Sequence, residues 1–231
     1  MARAGTDEGT LTLGLIGGLG LAAGIHYYRR LVNSLEEREE TPRLLLAHAD
    51  LRRVLEHVAA RELPELTHYL CGIVRSLSEA GADVAAISAV TPHVCITELA
   101  NASPIPIVNI LDVVRAELDS RGLQRIALLG TRYVIESELF GSLSGFDVVT
   151  PTASETSVID SVYRELALRG HGVPGDRESL SRIALDLCER ERLDAVVLAG
   201  TDLSVLFDSE DPAFPSVDCS LVHIRAIAER L

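Results

Sequence analysis

The 231-residue chain has no tryptophan, and aromatic residues make up only 4% of it. Its core must therefore be built from Leu, Val, Ile and Ala. Hydrophobic residues amount to 47%, which supports a sizeable core and excludes wholesale disorder. Long apolar runs are missing: nothing approaches the roughly 18 residues a membrane helix needs. Cysteine is sparse, with Cys71, Cys95, Cys188 and Cys219 forming no CxxC pair. With no secretory signal, they read as reduced thiols in a cytoplasmic protein. Basic residues are outnumbered, 21 against 34 acidic, for a formal net charge of −13. That excess disfavours nucleic acid as a partner. It leaves room for a small anionic substrate, which feels one local pocket. No His or Cys pair has metal-ligand spacing. The first ten residues, MARAGTDEGT, are expected to be a frayed leader.

What is present is an alternation of short apolar runs with longer amphipathic ones. Strands are expected at 12–16, 43–47, 84–88, 107–109, 125–129, 147–149, 195–198 and 216–217. Most are apolar over four or five residues, as parallel strands buried on both faces should be. Helices are expected at 23–37, 63–80, 111–120, 136–143, 157–168, 176–190 and 221–231. The alternation implies an α/β fold with parallel sheets. LTLGLIGGLG is echoed by QRIALLGTRY, and DVAAISAVTPH by DAVVLAGTDL. Two similar Rossmann-like halves follow, each with a four-stranded parallel sheet and with a cleft between them. The first half is expected to hold 11–115 plus 216–231, the second 116–215. Ligands of open α/β sheets bind at strand C-terminal ends, so three loops matter.

In LIGGLGLAAGIHYYRRL (15–31), Gly17, Gly18 and Gly20 pass a strand into a helix. G-x-G-x-x-G fits only if Ala23 closes it, and the acid expected about 20 residues on falls within a charged helix end. Dinucleotide binding is therefore disfavoured. A helix N-terminus with free N–H groups suits a carboxylate equally well. In ISAVTPHVC (87–95), Thr91 can cap a helix that Pro92 starts, and its hydroxyl can also point into the cleft. In LAGTDLSVLF (198–207), Asp202 after Gly200 and Thr201 is either a helix-terminus carboxylate or an acid that orients a ligand.

These loops, in this order, resemble the pyridoxal-phosphate-independent aspartate/glutamate racemase family. RIALLGTRYVIESELF (125–140), SVIDSVYREL (157–166) and SVDCSLVHIRA (216–226) resemble further stretches of it. The resemblance runs from about residue 11 nearly to the end. It implies a pocket for a small carboxylic acid, no cofactor and a homodimer. The resemblance implies two opposed bases that move an α-proton, usually both thiols, with Thr at the first position in some members. Here Ala89 and Gly200 stand at the two cysteine positions, and neither can act as acid or base.

The remaining candidates are His93, Tyr133, Thr91 and Thr201 as catalytic groups. Gly18, Leu19, Gly20, His48, Asp50, Arg132, Ala89, Gly200 and Asp202 are the candidate binding residues. His48 and Asp50 follow the second strand, where the resemblance implies substrate contacts. His26 and His223 are weaker candidates, and the cysteines read as buried and inert. Function is expected to be altered, non-thiol chemistry on a small carboxylic acid: isomerase, decarboxylase or other lyase, or cyclase. The alternatives are an inactive acid-binding homologue and a racemase with other bases.

Overall fold

A computed structural model of the protein describes residues 11–208 and 212–231. The leader expected at 1–10 lies outside them. Strands β1 (Leu13–Gly17), β2 (Leu44–His48), β3 (Val84–Ile87) and β4 (Ile107–Val108) form one sheet in the order β2-β1-β3-β4. Strands β5 (Arg125–Leu129), β6 (Asp147–Val149), β7 (Ala195–Leu198) and β8 (Ser216–Asp218) form a second in the order β6-β5-β7-β8. All pairings are parallel, with Leu15 opposite Leu46 and Ala86, and Leu128 opposite Val197. The central strands β1, β3 and β7 are buried throughout, as their unbroken apolar sequence requires.

The helices are α1 (Leu21–Glu36), α2 (Leu51–Ala60), α3 (Leu63–Glu79), α4 (Ile96–Ala102), α5 (Ile110–Ser120), α6 (Arg132–Glu136), α7 (Ala153–Arg169), α8 (Pro174–Glu191), α9 (Thr201–Phe207) and α10 (Cys219–Ala228). A 3₁₀ turn, Thr91–Cys95, precedes α4. Among the described residues, no helix is long and apolar enough to cross a membrane. Several turns after a strand end in a residue whose side chain satisfies the next helix's free N–H groups. Asp50 caps α2, Asn109 α5, Thr131 α6 and Asp218 α10. Thr152 and Glu155 form a capping box on α7. Gly20 before α1 and Gly200 before α9 have no side chain to do this.

Four places depart from the sequence reading. The helix expected at 136–143 does not form: α6 spans Arg132–Glu136, and the chain then turns through left-handed Glu138, Leu139 and Phe140. Leu139 and Leu143 are still buried, so turns deliver the periodicity that suggested a helix. Thr91 is inside its 3₁₀ turn, and its side chain caps nothing. Helix α2, with its apolar face, was not expected. Strand β8 pairs with β7 in the second sheet, so the return to the first half begins at α10 and not at residue 216. There Ile224, Ile227 and Ala228 pack with Leu13, Leu15, Tyr27 and Val84 of the first half. A larger core cluster runs through both halves, from Ile16 and Ile87 to Leu128 and Val197.

Candidate functional site

A cleft of about 530 Å³ opens where the strand ends of the two sheets approach each other. One wall is Ala89, Val90, Thr91 and Pro92, after β3. Tyr163 and Asp202 belong to the second half, and Leu19 comes from the glycine turn. The α2 residues Leu51, Val54, Leu55 and Val58 line it further out, with Ala167 and Leu168 of α7. Asp202 is the only carboxyl among these lining residues, and no His, Cys or Lys is among them.

Asp202 sits in the first turn of α9 and is 1% exposed. Burial pushes its carboxyl up to about 6. The backbone N–H of Ala23, in the first turn of α1, and the Tyr163 hydroxyl pull it part of the way back. Tyr163 donates to Oδ2 at 3.4 Å, while Oδ1 is buried with no hydrogen-bond partner among the described residues. The glycine turn therefore lies against a carboxyl, and it is the protein's own. Gly20 is required for this: a Cβ there would stand 2.5 Å from Asp202 Oδ2, and its φ of +156° disfavours a side chain. Asp202 thus sits where the glycine turn of the first half meets α7 and α9 of the second.

Gly200 has a matching explanation. A Cβ there would run into the Tyr163 ring. Tyr163 is 9% exposed, and burial together with Asp202 raises its phenol well above the ordinary value. The place where the resemblance puts a second thiol is filled by an aromatic ring carried on α7.

The other sequence candidates divide. Leu19, Ala89, Thr91, Tyr133 and Asp202 line the cleft, and Gly20 touches Asp202. Tyr133 is 43% exposed and packs on Phe140. The rest lie elsewhere. His93 is buried, with Nδ1 2.9 Å from the Ala89 carbonyl, its ring edge-on to His223, and burial lowering its pKa to about 4. It is a neutral core histidine and does not line the cleft. His223 is held by the Val108 carbonyl and the Tyr27 hydroxyl, and His26 lies near Ser204. Thr201 is fully buried, with its hydroxyl unpartnered among the described residues. Gly200 faces Tyr163. Asp50 is used as the cap of α2. Gly18 and His48 line a separate depression with Leu21, Tyr28 and Leu46. Arg132 bonds Glu136 and Ser157 and is no part of the cleft lining. Burial raises the thiols of Cys95, Cys188 and Cys219 and keeps them protonated. Among the described residues, no group of three or more His, Cys, Asp or Glu side chains is placed to hold a metal ion.

Sequence reasoning missed Tyr163 and α2. Tyr163 was visible only as one aromatic on a helix. The α2 face was legible, because Leu51, Val54, Leu55 and Val58 follow i, i+3, i+4, i+7.

Comparison with known proteins places this geometry. The Asp/Glu/hydantoin racemase family model matches residues 16–227. A Yersinia pestis protein described provisionally as an Asp/Glu racemase is 24% identical, with a TM-score of 0.80 over 95% of this chain and 98% of its own. An aspartate racemase homologue from Pyrococcus horikoshii OT3 is also 24% identical, with a TM-score of 0.78 over the same shares. The aspartate racemase of Picrophilus torridus is 17% identical, with a TM-score of 0.74 over 95% and 94%. These structures share the two-sheet fold.

Proposed function

The chain belongs to the Asp/Glu/hydantoin racemase family, and from that premise we propose that it is a cofactor-independent isomerase or lyase that moves a proton on a small carboxylic acid with Asp202 in place of the thiols. The observation that carries this reading is Asp202 itself: the one carboxyl lining the cleft, buried, with a free oxygen. A group with a pKa of about 6 exists in both protonation states near neutrality, which suits proton transfer in either direction. As a carboxylate it takes an α-proton, and the C–H electron pair passes into the enediolate. As a neutral acid it returns a proton to that carbon or to a neighbouring one. If the substrate loses carbon dioxide, the same neutral acid protonates the carbanion. The Thr91, Thr131 and Tyr133 hydroxyls and the Arg61 guanidinium are donors in the lining for the developing negative charge. Tyr163 holds the Asp202 carboxyl in place and keeps water from the Gly200 side.

The opposite wall offers Ala89, Val90, Thr91 and Pro92, so two-base racemisation has no second titratable partner there. A second reading is an acid-binding homologue without turnover. It is favoured by the burial of Asp202 between Gly20 and Tyr163, a packing arrangement that needs no chemistry. The test is hydrogen–deuterium exchange at the α-carbon, followed by NMR in D₂O. Substrates are both enantiomers of aspartate and glutamate, together with alkyl- and arylmalonic acids. The native protein is expected to exchange at least one of them, and Asp202→Asn to slow that exchange at least about 100-fold. Ligand-induced stabilisation without exchange would favour the binding homologue. Undiminished exchange in Asp202→Asn would remove Asp202 from the mechanism.

A further inference from the structure

The cleft is strongly apolar away from Asp202. Leu51, Val54, Leu55 and Val58 present one face of α2 to it, and Leu19, Ala167 and Leu168 extend that surface. Leu55 is 48% exposed and Leu168 80% exposed, so large hydrocarbon side chains stand open to solvent around the lining. Single exposed leucines are ordinary, but here they join buried apolar neighbours lining one cavity. The cations lining the cleft are Arg61 and Arg164, and Arg164 is already paired with Asp160 at 2.9 Å. A substrate with a second carboxylate would bring that charge against hydrocarbon and towards the buried Asp202, with one unpaired guanidinium among the lining residues to meet it. A desolvated charge without a partner is disfavoured. A substrate with one carboxylate and an apolar branch has a place for each part. Its acid group meets Arg61 or the hydroxyls, and its hydrocarbon lies on α2 and the end of α7.

We propose that the cleft selects carboxylic acids whose α-carbon carries an aryl or branched-alkyl group, over the dicarboxylic amino acids aspartate and glutamate. The inference rests on the reading of this cleft as the substrate site. It is tested by direct binding, independently of turnover. Calorimetry at pH 7 would compare phenylacetate and 4-methylpentanoate with succinate, aspartate and glutamate, on the native protein and on Leu55→Asp and Val58→Ser. Both positions lie on α2, distant in sequence from the proton-transfer residues. Leu55→Asp replaces a side chain that is already half exposed and should fold as the native chain does.

The apolar acids should bind the native protein at least tenfold more tightly than the dicarboxylates. Each substitution should reduce that preference, Leu55→Asp by tenfold or more. Equal or tighter binding of succinate or glutamate would overturn the proposal. So would an affinity for phenylacetate unchanged in both variants, or no binding of either apolar acid. Apolar acids that bind without α-proton exchange would leave this inference standing and defeat the enzymatic reading. Exchange of aspartate or glutamate with no affinity for the apolar acids would do the reverse.

Discussion

The surroundings of Asp202 pull its protonation in two directions. The Ala23 N–H and the Tyr163 hydroxyl favour the carboxylate, and burial favours the neutral acid. Burial is the larger effect, so its pKa rises from 3.8 to about 6. The sign for stability follows directly. Between pH 3.8 and 6 the folded chain keeps a proton on Asp202 that the unfolded chain has released, so this group's contribution falls as pH rises through that window. Asp202→Asn removes the penalty. At pH 8 the variant is expected to be more stable than the native protein by on the order of 1–3 kcal/mol, and the gap should close near pH 4. Denaturant titrations across that range read it out. A variant less stable at every pH would mean that the polar contacts of the ionised carboxylate outweigh its burial.

How much of this was legible in the residues is uneven. The sequence Gly200-Thr201-Asp202 marked the loop, but whether Asp202 capped a helix or faced a ligand depended on where α1 lies in space. The structure places it in the first turn of α9, against the glycine turn before α1 and in the cleft lining. His93 reads as reactive because it occurs in a short motif near a strand end. Its burial beside His223 is a long-range packing result that local sequence does not contain.

At the scale of elements, the strands were the most legible part, because a parallel strand buried on both faces needs an unbroken apolar run. Expected and observed strands differ by a residue or so at their ends. The helix termini were less legible, since caps such as Asp50 and Asn109 serve the next helix while resembling site residues. The pairing of α7 with the turn before α9 could not be read at all. It gives a sharp expectation, because the Tyr163 ring fills the space beside Gly200. Gly200→Ala should destabilise the protein by about 1–3 kcal/mol, and adding Tyr163→Ala should recover part of that loss. Thermal denaturation of the single and double variants checks it. Equal, additive losses would mean that the ring and the glycine are not coupled.

At the scale of the whole molecule, the two halves place their strand ends on either side of one cleft, and its acidic groups all come from one half. The half that begins at β5 brings Asp202 and Tyr163. The half that begins at β1 brings Ala89, Val90, Thr91 and Pro92, with Arg61 as its one ionisable lining residue. The two-sheet architecture was readable from the echoed strand–loop patterns, and so were Ala89 and Gly200 at the two places where the resemblance implies thiols. What stands in their place was not readable, because Tyr163 reaches Gly200 from a different helix. The most direct test of one-sided proton transfer is the configuration of the deuterated product. A single enantiomer of a chiral substrate that the protein exchanges would be incubated in D₂O, and deuterium content and optical purity followed together. The account predicts deuterium incorporation with configuration retained. Loss of optical purity at the same rate as incorporation would contradict it, because a second base would then be acting from the Ala89 side.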